Sequence, residues 1–261
     1  MPYLRKSALR MMVICTLVTV AACGEHDTGV SDANAATTRN ANASYELTTI
    51  SRPVSLEKEF APVRGVYEMC VGFAEARKLP YKPFPQIPKD YVLSRHTWIS
   101  DGERYIEREE RSVTDVSKTQ PETGCEVRLT TTVHESRVQD GKTQDSDLDM
   151  NGGYSLSEVR VYYPTELDTA KLALYTTKRT VNGVALKCSP PMPGSGADDP
   201  GFCIVDPSMA KGMLMTAAGE PLLAYYIARD TGLHPHDVVV EPVKFNTGRT
   251  IAPSAFKLGQ K

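Results

Sequence analysis

Two serine–lysine pairs in this chain stand three residues apart, Ser55-Leu56-Glu57-Lys58 and Ser208-Met209-Ala210-Lys211. At that spacing a lysine amine can activate a serine for acyl transfer. The partner elements of such chemistry do not accompany them. Lys142-Thr143 runs into Gln144 rather than glycine, and there is no GxSxG elbow, HExxH helix or phosphate-binding glycine loop. No nucleophile, base and orienting group can be assembled, so the sequence implies a non-enzymatic protein, with an unrecognised hydrolase as the third choice of function.

Metal chemistry has two candidate segments. In His234-Pro235-His236, residues two apart in an extended chain point the same way, so both imidazoles could reach one ion if another strand supplied a third ligand. Without that ligand the segment reads as exposed histidines at a turn or strand start. Asp145, Asp147, Asp149 and Asn151 place oxygens at alternate positions before Gly152-Gly153, as at the start of a calcium loop. Met150 stands where that loop needs glycine, and Leu156 where it needs its bidentate glutamate, which leaves a solvated acidic turn as the default. The sequence therefore implies no cofactor. His96 and His134, single in their segments, read as ordinary sheet residues.

Those side chains must be positioned mainly by β-strands. Val92–Ile99 and Glu103–Val113 flank Ser100-Asp101-Gly102, and an Asp-Gly between extended runs signals a hairpin. The same signal follows Cys125–Val138 at Asp140-Gly141 and Leu172–Val181 at Asn182-Gly183, which leads into Val184–Cys188. Met213–Ala218 turns at Gly219-Glu220-Pro221 into the apolar run Leu222–Ala228, and Asp237–Phe245 forms a last strand. Val127, Leu129, Thr131 and Val133 alternate with Arg128, Thr130 and Thr132, as on a half-buried sheet. Tyr105–Glu109 is charged on both faces, as on an edge. Val66, Cys70, Phe73 and Arg77 have helical spacing that ends at Pro80, and a second short helix is expected over Glu166–Leu174. Between Leu79 and Tyr91, prolines 80, 83, 85 and 88 describe a rigid extended connector. The fold class implied is mainly β, an antiparallel curved sheet or half-barrel with one or two covering helices.

The N-terminus supplies the compartment. Arg5, Lys6 and Arg10 precede an apolar run from Met11 to Ala22 that is about half the length of a membrane span. Ala21-Ala22 then leads into Cys23. This order resembles the bacterial lipoprotein signal, in which cleavage before the cysteine is followed by acylation of its thiol. The resemblance implies a signal peptide over residues 1–22, a palmitate-bearing Cys23 and, from Gly24 after it, sorting to the outer membrane. The protein would face the periplasm, with the cell surface as the alternative. Residues 24–44 are small, polar and without apolar periodicity, hence a flexible linker, and 45–261 form one β-rich domain. Arg5, Lys6 and Arg10 leave with the signal, so 30 basic and 32 acidic residues become a mature charge of about −5, no footprint for nucleic acid.

Of six cysteines, Cys15 leaves with the signal and Cys23 carries lipid, so an even set remains for an oxidising compartment: Cys70, Cys125, Cys188 and Cys203. The segment SPPMPGSGADDPGF reads as one closed loop between two strands, which favours Cys188–Cys203 and, by elimination, Cys70–Cys125. A four-thiolate zinc site would need close CxxC pairs, and there are none.

The ending EPVKFNTGRTIAPSAFKLGQ combines an apolar strand, an Asn-containing turn and a Pro-Ser-x-Phe segment. Over about the last fifty residues it resembles Lol-type lipoprotein carriers and related half-barrels. That likeness implies a curved sheet enclosing an apolar ligand space, and so a binding module for acyl chains or other apolar ligands, held to the membrane by its lipid. The alternative is an inhibitor or immunity-type lipoprotein that binds an envelope protein, with the Cys188–Cys203 loop as the segment to suspect. Cys23→Ser is expected to leave the precursor unlipidated and the domain detached from membranes; fractionation with palmitate labelling checks it, and unchanged membrane association would refute the lipid anchor.

Overall fold

Ser55 turns out to be a helix cap. Its backbone is extended and its hydroxyl accepts from the Lys58 N–H at 3.3 Å, so the Ser-x-x-Lys spacing here satisfies a helix N-terminus. The computed structural model describes residues 44–163, 173–191, 199–209, 214–216, 220–229 and 237–259. Helix α1 spans Leu56–Ala76, beginning ten residues before the periodic stretch from Val66 because Pro62, which reads as a breaker, lies inside it. Glu57 and Glu59 in its first turn suit the helix dipole.

The strands are β1 (Tyr45–Pro53), β2 (Ser94–Ser100), β3 (Tyr105–Asp115), β4 (Arg128–Gln139), β5 (Lys142–Leu148), β6 (Tyr154–Leu156), β7 (Arg160–Val161), β8 (Thr177–Val181), β9 (Val184–Cys188), β10 (Cys203–Val205), β11 (Leu223–Ala228) and β12 (Val238–Thr247). They form one curved, unclosed antiparallel sheet in the order β6-β5-β4-β3-β2-β1-β12-β11-β10-β9-β8, with β7 also on β5. The three Asx-Gly hairpins are as expected: at Asp140-Gly141 and Asn182-Gly183 both residues have positive φ, which matches the twist of the strands they join, and at Asp101-Gly102 the glycine alone does. Of the Met213–Ala218 arm, residues 214–216 are described, and Met215 bridges Pro221. Of the expected helix Glu166–Leu174, only Ala173 and Leu174 are described, and they form a turn.

Two elements depart from their sequence patterns. β3 is charged on both faces yet is no edge: it pairs with β2 over Tyr105–Arg111 and with β4 along its whole length, and their side chains neutralise it. β5 occupies what reads as an acidic turn, because Asp145 and Asp147 find partners across strands in Arg160 and His134.

β1 is buried on both faces, with Leu47 at 0 % and Ile50 at 2 % exposure. Inside the curve, Leu47 joins Tyr45, Trp98, Tyr105, Val138, Leu186, Val205 and Leu222 in one cluster. A register shift at Thr48/Thr49 sets Thr49 opposite Pro242, a residue that has no N–H to give a ladder. The Asn182 side chain donates to the Pro242 carbonyl at 3.0 Å, so the β8–β9 turn is latched to that point of β12. On the outer face the C-terminal segment forms a strap. Buried Glu135 accepts from Arg108 Nε at 2.6 Å, Ser146 Oγ at 3.0 Å and the Gly259 N–H at 2.5 Å, while Arg104 lies 4.5 Å above the ring of buried Phe256.

Both disulfides have the expected pairing. Cys188 and Cys203 sit directly opposite in β9 and β10 with Cα atoms 3.9 Å apart, and Gly201 beside them has no room for a side chain, since a Cβ would lie 2.3 Å from the Ser189 carbonyl oxygen. Cys70–Cys125 ties α1 to the loop before β4, aided by Arg77–Glu122 at 2.6 Å, while Phe60 packs edge-on to Tyr91. The proline connector lies along the helix, with Phe84 packed edge-on to Tyr67 and the Tyr67 hydroxyl donating to the Lys82 carbonyl at 2.8 Å. Because Cys70 and Cys125 are 55 residues apart, the Cys70→Ser/Cys125→Ser variant is expected to lose about 2–4 kcal/mol of stability, measured by urea unfolding. An unchanged midpoint would show that packing alone holds α1.

Candidate functional site

Strand register assembles a row of charges that no local sequence motif announces. On the inner face His96 of β2 pairs with Glu109 of β3, Glu109 with His134 of β4, and His134 with Asp147 of β5. The next row carries Trp98, Glu107, Ser136 and Asp145. His96 Nε2 lies 2.9 Å from Glu109 Oε1 and its Nδ1 is 3.9 Å from Glu107 Oε1, with the ring stacked 5.4 Å from Trp98. Arg111 Nε reaches the same Glu109 oxygen at 2.5 Å, and His134 Nδ1 lies 2.8 Å from Asp147.

Burial alone would lower the His96 pKa, but hydrogen bonding and attraction to Glu107 and Glu109 outweigh it and raise the value to about 9. For Glu109 burial acts upward, and hydrogen bonds from His96 and Arg111 overcome it to hold the carboxyl at about 2. Tyr226 of β11 is raised by burial and by the Glu109 charge. At neutral pH His96 and Glu109 therefore carry fixed opposite charges. Such a pair is poorly matched to proton exchange in general acid–base catalysis, where a pKa near the working pH is needed. Its chemistry is cohesion: it lets a polar strand face occupy the inside of a sheet.

The sequence-derived candidates do not converge. Asp145 pairs with Arg160, Asp147 with His134, and Asp149 caps its own turn by accepting from the N–H groups of Asn151 and Gly153, each at 2.8 Å. Among the described residues no group of His, Cys, Asp and Glu is placed to hold a metal ion. Ser208 donates to Asp206 at 2.8 Å, and Lys211 lies outside the described residues. Cys23, His234 and His236 also lie outside them. Cys70, Cys125, Cys188 and Cys203 are all in disulfides.

The other candidate is a surface. Among the described residues β6 ends the sheet beyond β5, and β6 and β7 are exposed throughout. Asp149 donates to the Gly153 carbonyl and Ser157 to that of Asp145, so by antiparallel alternation the N–H groups of Tyr154 and Leu156 point away from β5. The side chains of Tyr154 and Leu156 are 53 % and 52 % exposed, and Val159, Val161 and Tyr163 continue the apolar edge. The opposite edge, β8, reads Thr-Lys-Arg-Thr-Val, with the charges that keep a sheet edge from pairing. Comparison with protein families, curated proteins and solved structures finds no match. Function must be read from the chain's own surfaces.

The two shifted groups define a stability window. His96, raised from about 6.5 to about 9, contributes fully below 6.5 and loses its contribution as pH rises through 9. Glu109, lowered from 4.5 to about 2, contributes fully above 4.5 and loses it as pH falls through 2. His96→Gln is expected to cost about 1.5–3 kcal/mol at pH 6, the range for hydrogen bonds to charged groups, and much less above pH 9.5. Thermal melts of both proteins across pH check it; a cost independent of pH would rule out the charge.

Proposed function

We propose that this chain is an envelope lipoprotein, anchored through Cys23, that binds a partner protein by adding an extended segment of that partner to the β6–β7 edge. The partner segment would carry apolar side chains at alternate positions to match Tyr154 and Leu156. Main-chain hydrogen bonds to the outward N–H groups would supply affinity, and the exposed side chains would supply selectivity. The observation that carries this reading is the contrast between the two sides of the sheet. Large apolar side chains fill the described interior as one cluster, while the outward edge leaves Tyr154, Leu156, Val159, Val161 and Tyr163 in solvent. An exposed apolar strand that ends a sheet is an invitation to pairing that proteins ordinarily suppress.

The carrier reading implied by the C-terminal resemblance requires apolar space beneath the curve; in the described part of that interior Leu47, Trp98, Tyr105, Leu186 and Leu222 pack together. A non-enzymatic role is consistent with pKa values held far from neutrality at His96 and Glu109. The linker of about twenty residues allows the edge to reach roughly 25 Å from the lipid.

Leu156→Lys places a charge at the centre of the edge without touching the core. Affinity purification of wild type and this variant from envelopes, with mass spectrometry of proteins and lipids, is expected to recover a protein with wild type and at least tenfold less of it with the variant. Recovery of lipid in stoichiometric amount, or of the same protein equally with both baits, would overturn the edge-binding reading.

A further inference from the structure

One face of α1 is apolar and, among the described residues, has no partner. At 100° per residue, Gly65, Val66, Met69, Gly72 and Phe73 fall within an arc of about 120°, with Glu57, Arg64, Glu68 and Glu75 set to one side. Val66, Met69 and Phe73 are 45 %, 62 % and 55 % exposed. The other face is occupied: Phe60, Cys70 and Ala74 are buried, and the Cys70–Cys125 bridge fixes which way the helix is turned. The apolar arc is therefore held outward by a covalent tie.

The order of residues along the arc says what fits it. Glycine is among the poorest residues for a helix interior, yet two lie here, and a Cβ built on either Gly65 or Gly72 meets nothing within 4 Å. Nothing within the described domain requires them. Around Met69 the arc is self-complementary under reversal. Four residues before Met69 stands Gly65 and four after stands Phe73; three before stands Val66 and three after stands Gly72. Each bulky residue is thus matched by a glycine at the same distance on the opposite side of Met69.

We propose that this face is a self-association surface, on which a second copy of the chain lays its own α1 antiparallel, with the twofold axis passing at Met69. In that arrangement the residue k positions before Met69 meets the one k positions after it in the other copy. Phe73 of each chain seats on Gly65 of the other, and Val66 on Gly72. The contact is isologous and closes on itself, so it forms dimers rather than filaments. The glycines lower the surface where the Phe73 and Val66 side chains arrive, which brings the helices closer than side chains at both positions would permit. The surface uses different residues from the β6–β7 edge, and a dimer would present two such edges.

The full chain in its envelope tests this. In Met69→Cys the new thiols face each other across the axis, and mild oxidation is expected to give a band of twice the monomer mass on a non-reducing gel. Glu68→Cys, one residue along but on the charged side, is expected to stay monomeric. The double variant Gly65→Ala/Gly72→Ala separates packing from folding. In a solitary helix it raises the melting temperature and nothing else; in the dimer it lowers the Met69→Cys cross-linking yield at least tenfold while the melting temperature shows the fold intact. The proposal is overturned if Met69→Cys gives no dimer, if Glu68→Cys cross-links equally, if the cross-linked band has another mass, or if the alanines leave the yield unchanged.

Discussion

Every path through this sheet crosses β1. It pairs with β2 on one side and β12 on the other, so residues 45–53 join the strands β2–β7 to the strands β8–β12. Tyr45 faces Thr247, a closure over some two hundred residues that repays its entropy only once the ladder is complete. The strand is buried on both faces, and Leu47 lies at the centre of the inner cluster. The bulge opposite Pro242 and the Asn182 latch then bend β8 and β9 back over the inside of the curve. Removing β1 would leave two smaller sheets and an open core.

That construction explains where the charges and the apolar residues lie. β3 sits in the middle of the N-terminal strands with Glu107, Glu109 and Arg111 on its inner face, and the register hands each a neighbour of useful sign or a hydroxyl. With the inner face closed by ion pairs toward β5 and by apolar packing toward β9, exposure is displaced to the margins. It collects on the short strands β6 and β7 and on α1, which is tied down by a disulfide rather than laid flat on the sheet. The Glu135 strap braces the sheet a second time, from outside.

Much of the fold is legible in the residues. The Asp140-Gly141 and Asn182-Gly183 turns adopt positive φ, and the disulfide pairs follow from the Pro- and Gly-rich loop and elimination. β1 escapes because it is buried on both faces and so shows no two-residue alternation of apolar and polar side chains, and the first turns of α1 escape because a proline, Pro62, lies inside them. The charge row is hidden for a different reason. His96, Glu109, His134 and Asp147 are spread over fifty residues, and only the register of three hairpin pairs aligns them. Ser55–Lys58 shows the converse case, in which a spacing suited to catalysis serves a helix cap.

The most direct measurement is amide hydrogen exchange of the full chain in envelopes of cells that make it against the same chain isolated in detergent. Partner addition at the edge requires the outward N–H groups of Tyr154 and Leu156 to exchange fast in the isolated protein and at least tenfold slower in the envelope, with β1 slow in both. Equal exchange of Tyr154 and Leu156 in the two settings would contradict the account.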